Sequence, residues 1–141
     1  MLIMISALIA LLPPHQGLLP SWLLLISTVA LFNSIQNYAT IALTQRVYAA
    51  QPKQTTPLSA RTFGTWTALS SVIRLYAAYH VTNPQVYQMA LFSYVIAWAH
   101  FMSEWLIFRT AKLGPGLAGP LVVATTSLVW MVNQQDFYVG V

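Results

Sequence analysis

Charged residues are rare in this chain and are confined to a few places, which restricts the folds open to it. Only eight of the 141 residues carry a formal charge, and five of the six basic ones fall in two gaps between apolar stretches: Arg46, Lys53 and Arg61 in the first, Arg109 and Lys112 in the second. A soluble domain is about 25% charged, whereas this chain is 6% charged and 57% hydrophobic. Most of its surface must therefore face lipid or protein, which predicts an integral membrane protein.

Four stretches are long and apolar enough to cross a bilayer as helices, which takes about 20 mostly apolar residues. They cover approximately residues 21–43, 62–81, 86–108 and 117–136. The joints between them are polar or rich in proline and glycine. We therefore predict an all-α integral membrane protein, a four-transmembrane-helix bundle that forms a single domain over residues 1–141.

The first 20 residues form a short apolar N-terminal segment ahead of the bundle. Residues 1–12 are apolar but too few to span a bilayer, and Pro13 and Pro14 end the run. A signal peptide would begin with a basic region, which is missing here. We interpret residues 1–20 as an interfacial segment, with a cleaved signal peptide as the alternative.

The charge distribution also predicts an orientation. If all four stretches cross, both basic gaps lie on one side, and the two termini and the turn at residues 82–84 lie on the other. The positive-inside rule places basic loops in the cytosol, so we expect a multi-pass protein with both termini in the lumen. The net charge of +4 does not indicate nucleic-acid binding, because the basic residues are few and do not cluster.

Polar side chains at membrane depth are the candidate site residues, because charged groups inside a bilayer are costly and avoid lipid. At 1.5 Å per residue, Arg74 lies about 18 Å, His100 about 13 Å and Glu104 about 7 Å from the cytosolic edge. His100 and Glu104, four residues apart, share a helix face. A direct Arg74–Glu104 bond would have to stretch, so an Arg74–His100 contact, or a relay through His100, is the easier arrangement. The full set predicted to be buried is Asn33, Gln36, Asn37, Arg74, His100 and Glu104.

Two interpretations of this set compete. Such groups hold helices together through interhelical hydrogen bonds, or they form a pocket that binds a ligand or moves a proton. We favour the structural interpretation, with Arg74 as the residue expected to exceed it. Small residues four apart, such as Gly64 and Ala68, predict close helix contacts.

Sequence motifs of catalysis and cofactor binding are not found. The three histidines are far apart and cysteine is absent, so no metal site, disulfide or thiol nucleophile is indicated. There is no dinucleotide-binding glycine motif and no phosphate-binding loop. The pattern predicts no metal, no cofactor and no enzyme activity, and it favours binding or scaffolding.

Four blocks of the chain are nevertheless distinctive. The longest is ARTFGTWTALSSVIRLYAAYH at residues 60–80, and the others are LPSWLLLISTVALFNSIQ at 19–36, HFMSEW at 100–105 and LGPGLAGPLVVATTSLVW at 113–130. In this order and spacing they resemble the ergosterol biosynthetic protein 28 family, in its fungal form.

The resemblance implies a non-enzymatic scaffold of the endoplasmic reticulum membrane that tethers the enzymes of sterol C-4 demethylation. The implied partners are a sterol C-4 methyl oxidase, a C-3 dehydrogenase/C-4 decarboxylase and a 3-ketosteroid reductase, with a sterol C-24 methyltransferase as a further associate. The longest polar loop, with Arg46, Lys53 and Arg61, is the candidate cytosolic docking loop; the equally weighted alternative is a linker that only sets topology.

Two other functions stay open. One is a sterol-binding or sterol-isomerising four-helix protein, similar to emopamil-binding proteins, with Arg74, His100 and Glu104 as its buried site. The other is a homo-oligomeric bundle whose partner surface is embedded in membrane lipid.

Overall fold

The computed structural model describes residues 1–140, except for the side chain of Leu2. These residues form seven α-helices and one short 3-10 helix, with no β-strand among them, which confirms the all-α prediction. Residue 141, the end of the predicted single domain, lies outside the described residues. The helices are α1 (Leu2–Ala10), α2 (Leu19–Ala39), α3 (Ala42–Val47), α4 (Pro57–Tyr79), α5 (Pro84–Leu106), α6 (Pro115–Asn133) and α7 (Gln135–Val139), and the 3-10 helix is Pro52–Gln54.

The first predicted span, residues 21–43, is broken at Thr40. This residue has extended backbone angles (φ −152°, ψ 149°) and ends α2. Its hydroxyl accepts a hydrogen bond from the backbone N–H of Ala42 at 3.2 Å. A threonine that bonds the backbone in this way favours a helix start over a helix interior, so the chain turns here and begins α3.

The second predicted span, residues 62–81, begins earlier than expected, at Pro57. Thr56 caps α4: its hydroxyl accepts from the backbone N–H of Ser59 at 3.1 Å, and the Ser59 hydroxyl accepts from the backbone N–H of Thr56 at 2.8 Å. This reciprocal pair is a capping box, and proline at the first helical position needs no donor. The polar residues before position 62 therefore belong to the helix.

The third predicted span, residues 86–108, is shifted by two residues. Asn83 caps the start of α5 by accepting from the backbone N–H groups of Gln85 and Val86. At the other end, the carbonyl of Glu104 accepts hydrogen bonds from the backbone N–H groups of Thr110 and Ala111, in the loop that follows the helix. The caps thus end the helix at Leu106 and fold the following loop back over it.

The fourth predicted span, residues 117–136, is divided into α6 and α7, with Gln134 between them. The helix α6 begins at Pro115, so Pro120 lies in its interior. A proline there has no N–H for the carbonyl of Gly116, four residues earlier. Pro115, by contrast, stands at the first helical position, where no donor is needed.

Two of the four long helices meet the length and hydropathy of a membrane span. They are α2, with 21 residues and a mean hydropathy of 1.3, and α6, with 19 residues and a mean hydropathy of 1.5. The helices α4 and α5 have 23 residues each but are not in this group. The structure therefore supports an all-helical membrane-associated fold, and the four-span arrangement is taken up below as a proposal.

The most extensive helix contact is between α2 and α4, and small residues form it. The Ser71 hydroxyl donates to the carbonyl of Ser27 at 2.6 Å, and the Ser34 hydroxyl donates to the carbonyl of Gly64. A β-carbon at Gly64 would lie 3.0 Å from the Ser34 carbonyl oxygen. The close approach predicted from the small residues around Gly64 is therefore confirmed.

The long helices alternate in direction, so the connections gather at two ends. At what we call the basic end, the carbonyl of Thr110 accepts from the backbone N–H groups of Ala50 and Gln51, at 3.1 and 3.2 Å. At the opposite, terminal end, the Tyr79 hydroxyl donates to the carbonyl of Leu11 at 2.6 Å. The two basic gaps thus lie together, as the sequence predicts.

The N-terminal segment is helical, and its apolar side chains remain exposed. Ile3, Leu8 and Ile9 of α1 are 86%, 61% and 61% exposed. The segment meets the bundle through Leu11 and through His15, whose Nε2 lies 3.1 Å from the carbonyl of Tyr79. Its interfacial position in a membrane stays a prediction.

Candidate functional site

A cavity of about 390 Å³, which we call the inner cavity, lies among α2, α3, α4, α5 and α6. It follows α4 from Phe63 to Arg74, a rise of about 17 Å, and Arg46 and Gly116 border its outer end. Its volume falls within the range of small-molecule sites, about 300–1,000 Å³. Most of its wall is apolar, and this part of the wall includes Ile26, Val29, Leu43, Trp66, Phe101 and Val123.

Arg74 lies at the deep part of the inner cavity and is only 7% exposed. Its Nε donates to the Ser93 hydroxyl at 3.0 Å, and its Nη2 donates to the Ser93 carbonyl at 3.2 Å. The guanidinium carbon lies 3.8 Å from the centroid of the Tyr94 ring, a cation–π contact. Within residues 1–140, no carboxylate forms an ion pair with Arg74.

Tyr94 forms the floor beneath that guanidinium and is fully buried. Its hydroxyl is enclosed by the bundle and has the Ser127 hydroxyl as its hydrogen-bonding neighbour. The Ser127 hydroxyl also accepts from the indole N–H of Trp22 at 2.9 Å, and a hydroxyl can serve both groups. Tyr94 therefore offers the cation the face of its ring.

A second cavity of about 480 Å³, which we call the outer cavity, opens at the basic end. It contains a chain of polar groups. The Tyr48 hydroxyl lies 2.7 Å from His100 Nε2, and His100 Nδ1 lies 4.0 Å from Glu104 Oε1. The Thr110 hydroxyl donates to the other carboxylate oxygen of Glu104. His100 and Glu104 thus share a face, as their spacing predicts.

Aromatic rings surround the imidazole of His100 in the outer cavity. The centroids of Trp66 and Phe101 both lie 5.4 Å from that of His100, and the centroid of Tyr48 lies 6.0 Å away. Burial, and secondarily the nearby charge of Glu104, raises the pKa of the Tyr48 phenol above its ordinary value. Tyr48 therefore stays protonated and can donate to His100 at neutral pH.

The predicted Arg74–His100 contact is wrong, because the two residues lie in different cavities. The helix α4 begins at Pro57, so Arg74 lies about 25 Å from the start of its helix, whereas His100 lies about 9 Å from the end of α5. Phe63 and Trp66 line both cavities and separate them.

The predicted burial of the span-one amides is correct only for Asn37. Asn37 is 3% exposed, and its side-chain oxygen accepts from the Thr44 hydroxyl at 2.8 Å, which joins α2 to α3 across the break. Asn33 is exposed, although it lines the inner cavity, and Gln36 is exposed. Asn33 directly precedes Ser34, and Gln36 directly precedes Asn37; Ser34 and Asn37 are buried on the side of α2 that meets α4. Successive residues of a helix point about 100° apart around its axis, so Asn33 and Gln36 are turned away from α4.

The candidate docking residues lie at the basic end, where Arg46 belongs to α3, Lys53 to the 3-10 helix and Arg61 to α4. Arg46, Lys53 and Arg61 are exposed, and so are Arg109 and Lys112 of the neighbouring loop. All five basic side chains are therefore free to meet a partner at one end of the bundle. A docking role for them stays a prediction.

Three residues of these sites were missed from the sequence: Ser93, Tyr94 and Tyr48. Ser93 could have been considered, because an arginine at membrane depth needs an acceptor on a neighbouring helix. Tyr94 follows it directly and is the aromatic that could have been considered as a cation–π partner. Tyr48 gave no signal, since it lies in a loop whose fold depends on the break at Thr40.

Metal ligands do not come together in the part of the chain that the structure describes. Among residues 1–140, no three His, Cys, Asp or Glu side chains are grouped so that they could hold a metal ion. The expectation that the protein uses neither metal nor cofactor stays a prediction.

Comparison with known proteins places these features in a family. A family model described as Erg28 like protein matches residues 19–129. The ergosterol biosynthetic protein 28 of Candida albicans is 56% identical over 126 residues, which are 89% of this chain and 91% of that protein. That of Saccharomyces cerevisiae is 56% identical over 127 residues, 89% of this chain and 86% of the relative.

The similarity extends beyond fungi. The mouse protein named ergosterol biosynthetic protein 28 homolog is 38% identical over 117 residues, 82% of this chain and 84% of that protein. No solved structure is significantly similar to this chain.

Proposed function

Because this chain belongs to the Erg28-like protein family, we propose that it acts in sterol biosynthesis as a non-enzymatic membrane scaffold. The observation that carries the proposal is the 56% identity, over nearly the whole chain, to proteins named ergosterol biosynthetic protein 28. The scaffold tethers the sterol C-4 methyl oxidase, the C-3 dehydrogenase/C-4 decarboxylase and the 3-ketosteroid reductase. It also associates with the sterol C-24 methyltransferase.

The proposal includes four membrane spans formed by α2, α4, α5 and α6. At 23 residues, α4 and α5 are each about 35 Å long, which exceeds the hydrocarbon thickness of about 30 Å. Both expose large apolar side chains that a lipid environment would cover: Leu69, Val72 and Tyr76 on α4, and Met89, Phe92 and Ile96 on α5.

The orientation follows from the grouping of the loops. The basic end carries five exposed basic residues, and the positive-inside rule places such an end in the cytosol. The terminal end, with α1 and α7, then faces the lumen of the endoplasmic reticulum. This arrangement leaves two surfaces for partners: the apolar helix faces for membrane-embedded enzymes and the basic end for cytosolic domains.

Tethering acts through effective concentration. When enzymes that act in sequence are held on one scaffold, the encounter of an intermediate with the next enzyme takes place within one complex. For short linkages, the effective concentration of that enzyme reaches the millimolar range. An intermediate released by one enzyme then meets the next before it escapes into the membrane.

Two measurements test the scaffold. Loss of the protein should raise C-4-methylated and C-4-carboxylated sterols, while each of the three enzymes, assayed alone in membranes, keeps its activity. Affinity capture of the full chain from solubilised membranes should recover the three enzymes. The proposal fails if capture recovers none of them and the three enzymes together run equally fast without the protein.

Matched charge variants test the docking loop. We expect Lys53→Gln with Arg61→Gln to reduce enzyme capture, because Lys53 is exposed on the longer connection and Arg61 is exposed near the start of the helix that follows it. The control, Arg109→Gln with Lys112→Gln, removes the same charge from the shorter loop at the same end. If both variants capture the enzymes as well as the natural protein does, these charges serve membrane topology alone.

The sterol-isomerising alternative is not proposed. It requires Arg74, His100 and Glu104 in one site, and Phe63 and Trp66 separate Arg74 from the other two. A binding role for the inner cavity does not need His100 or Glu104 and is considered next.

A further inference from the structure

We propose that the inner cavity binds one lipid that carries a carboxylate, with Arg74 as its counter-ion. The inference goes beyond tethering and does not depend on any enzyme partner. Its choice of a steroid acid over a fatty acid rests on the proposed role in sterol biosynthesis.

The first reason is a buried charge without a partner of opposite sign. The chain has only two acidic residues. Glu104 lies in the outer cavity, and Asp136 is exposed on α7 at the terminal end. Neither can neutralise Arg74, which is 7% exposed and bonded only to neutral groups. A buried charge is stable when it is paired, so an anion is the missing component.

The second reason is that the Arg74 guanidinium has donors to spare. Arg74 has five N–H groups, and its two hydrogen bonds within residues 1–140 use Nε and Nη2, both to Ser93. Nη1 is therefore left for a ligand. The Arg74 side chain lines the inner cavity. The guanidinium is held by Ser93 and by the Tyr94 ring, so its free edge is already oriented toward a ligand.

The third reason is the shape and polarity of the rest of the cavity. Away from Arg74 and Tyr94, most of its roughly 17 Å length is walled by apolar side chains such as Ile26, Val29 and Val123. The ligand that fits is therefore elongated and apolar with one anionic group. The helices α2 and α6, which flank the cavity, make few direct contacts, so a lipid can enter between them from the bilayer.

Arg46 offers a competing anchor, because it borders the opposite end of the same cavity. It is exposed, so water or lipid headgroups can solvate it. A carboxylate gains more from a desolvated cation than from a solvated one. The ligand is therefore placed with its acid at Arg74 and its apolar body directed toward Arg46.

The test is direct binding to the full chain in nanodiscs of phosphatidylcholine, which carry no net charge. The probes are a tritiated sterol-4-carboxylate, tritiated palmitate and the methyl ester of each. We expect one acid to bind per protein and its ester to bind at least about tenfold more weakly, because a charged hydrogen bond is lost. Equal binding of acid and ester, or no binding of either acid, overturns the proposal.

Variants locate the site. Arg74→Gln should weaken binding of the acid at least about tenfold, whereas Arg46→Gln should leave it within about twofold. Loss of binding in Arg46→Gln but not in Arg74→Gln overturns the assignment. If Arg74→Gln does not fold, Gly119→Phe decides: Gly119 lines the cavity and has open space beside it, so a phenylalanine there should fill the cavity and abolish binding.

The two acids distinguish the source of the ligand. Tighter binding of the sterol acid supports a site for a sterol intermediate, and tighter binding of palmitate supports the carboxylate site but overturns its steroid assignment. Capture of the enzymes is measured separately, so loss of lipid binding in a variant that still captures them separates this inference from the tethering proposal.

Discussion

At the scale of single residues, Arg109 occupies a strained backbone position. Its φ of 56° is the only positive value of a non-glycine residue within residues 1–140. This conformation costs a residue with a side chain roughly 1–2 kcal/mol. It is imposed by the loop after α5, whose next two N–H groups return to the carbonyl of Glu104.

We therefore predict that Arg109→Gly stabilises the protein relative to Lys112→Gly. Both variants remove one exposed positive charge from the same loop. Glycine relieves strain only at position 109, and at position 112 it should cost about 0.5–1 kcal/mol by adding freedom to the unfolded chain. Thermal unfolding in detergent measures the difference, and equal midpoints for the two variants would show that the loop stores no strain.

The residue scale also shows how much of the site the sequence could predict. Arg74 was recognised as the unusual residue because a charge at membrane depth needs a reason. Its neighbour was wrongly predicted to be His100, because the estimate of depth depended on where α4 begins. The capping pair Thr56 and Ser59 starts α4 five residues before the predicted position. Arg74 therefore lies more than one helical turn farther from the basic end than the sequence indicated.

At the scale of helices, the contact between α2 and α4 depends on the lack of a side chain at Gly64. We predict that Gly64→Val separates these helices, because a β-carbon there would already touch the backbone of Ser34 and the side chain of Asn37. Overpacking of this kind costs about 1–3 kcal/mol. Gly119→Val is the control, since no atom lies within 4 Å of a β-carbon at that position.

Thermal unfolding and size-exclusion profiles in detergent compare the two valine variants. Gly64→Val should unfold at a lower temperature than the natural protein, and Gly119→Val should stay close to it. The packing model is wrong if both variants behave alike.

Helix identity was predictable and helix ends were not. Apolar length alone located all four long helices. The break at Thr40 escaped because an apolar run continues through it. The division between α6 and α7 falls in the polar run of residues 133–136, whose polarity alone does not show where a helix ends. Hydrophobicity reports where a chain can be buried, whereas caps and turns depend on individual side-chain hydrogen bonds.

At the scale of the whole molecule, the loops gather at two opposite ends, so the orientation in the membrane can be tested with a tag at each end. A glycan-acceptor sequence inserted after Lys53 should remain unmodified, because the basic end is proposed to face the cytosol. The same sequence inserted after Thr82, at the terminal end, should be glycosylated. A mobility shift removed by endoglycosidase measures both, and modification of the first insertion would reverse the proposed orientation.

Pro120 has a consequence for exchange between the inner cavity and its surroundings. The carbonyl of Gly116 lacks its usual helical donor, so the first turn of α6 is joined to the rest by fewer bonds than any other turn of that helix. This turn meets α3 at the outer mouth of the cavity, where Gly116 touches the backbone of Arg46. We expect the proline to act as a pivot, so that the mouth can widen without unwinding α6 and the rate of ligand exchange depends on this one imino acid.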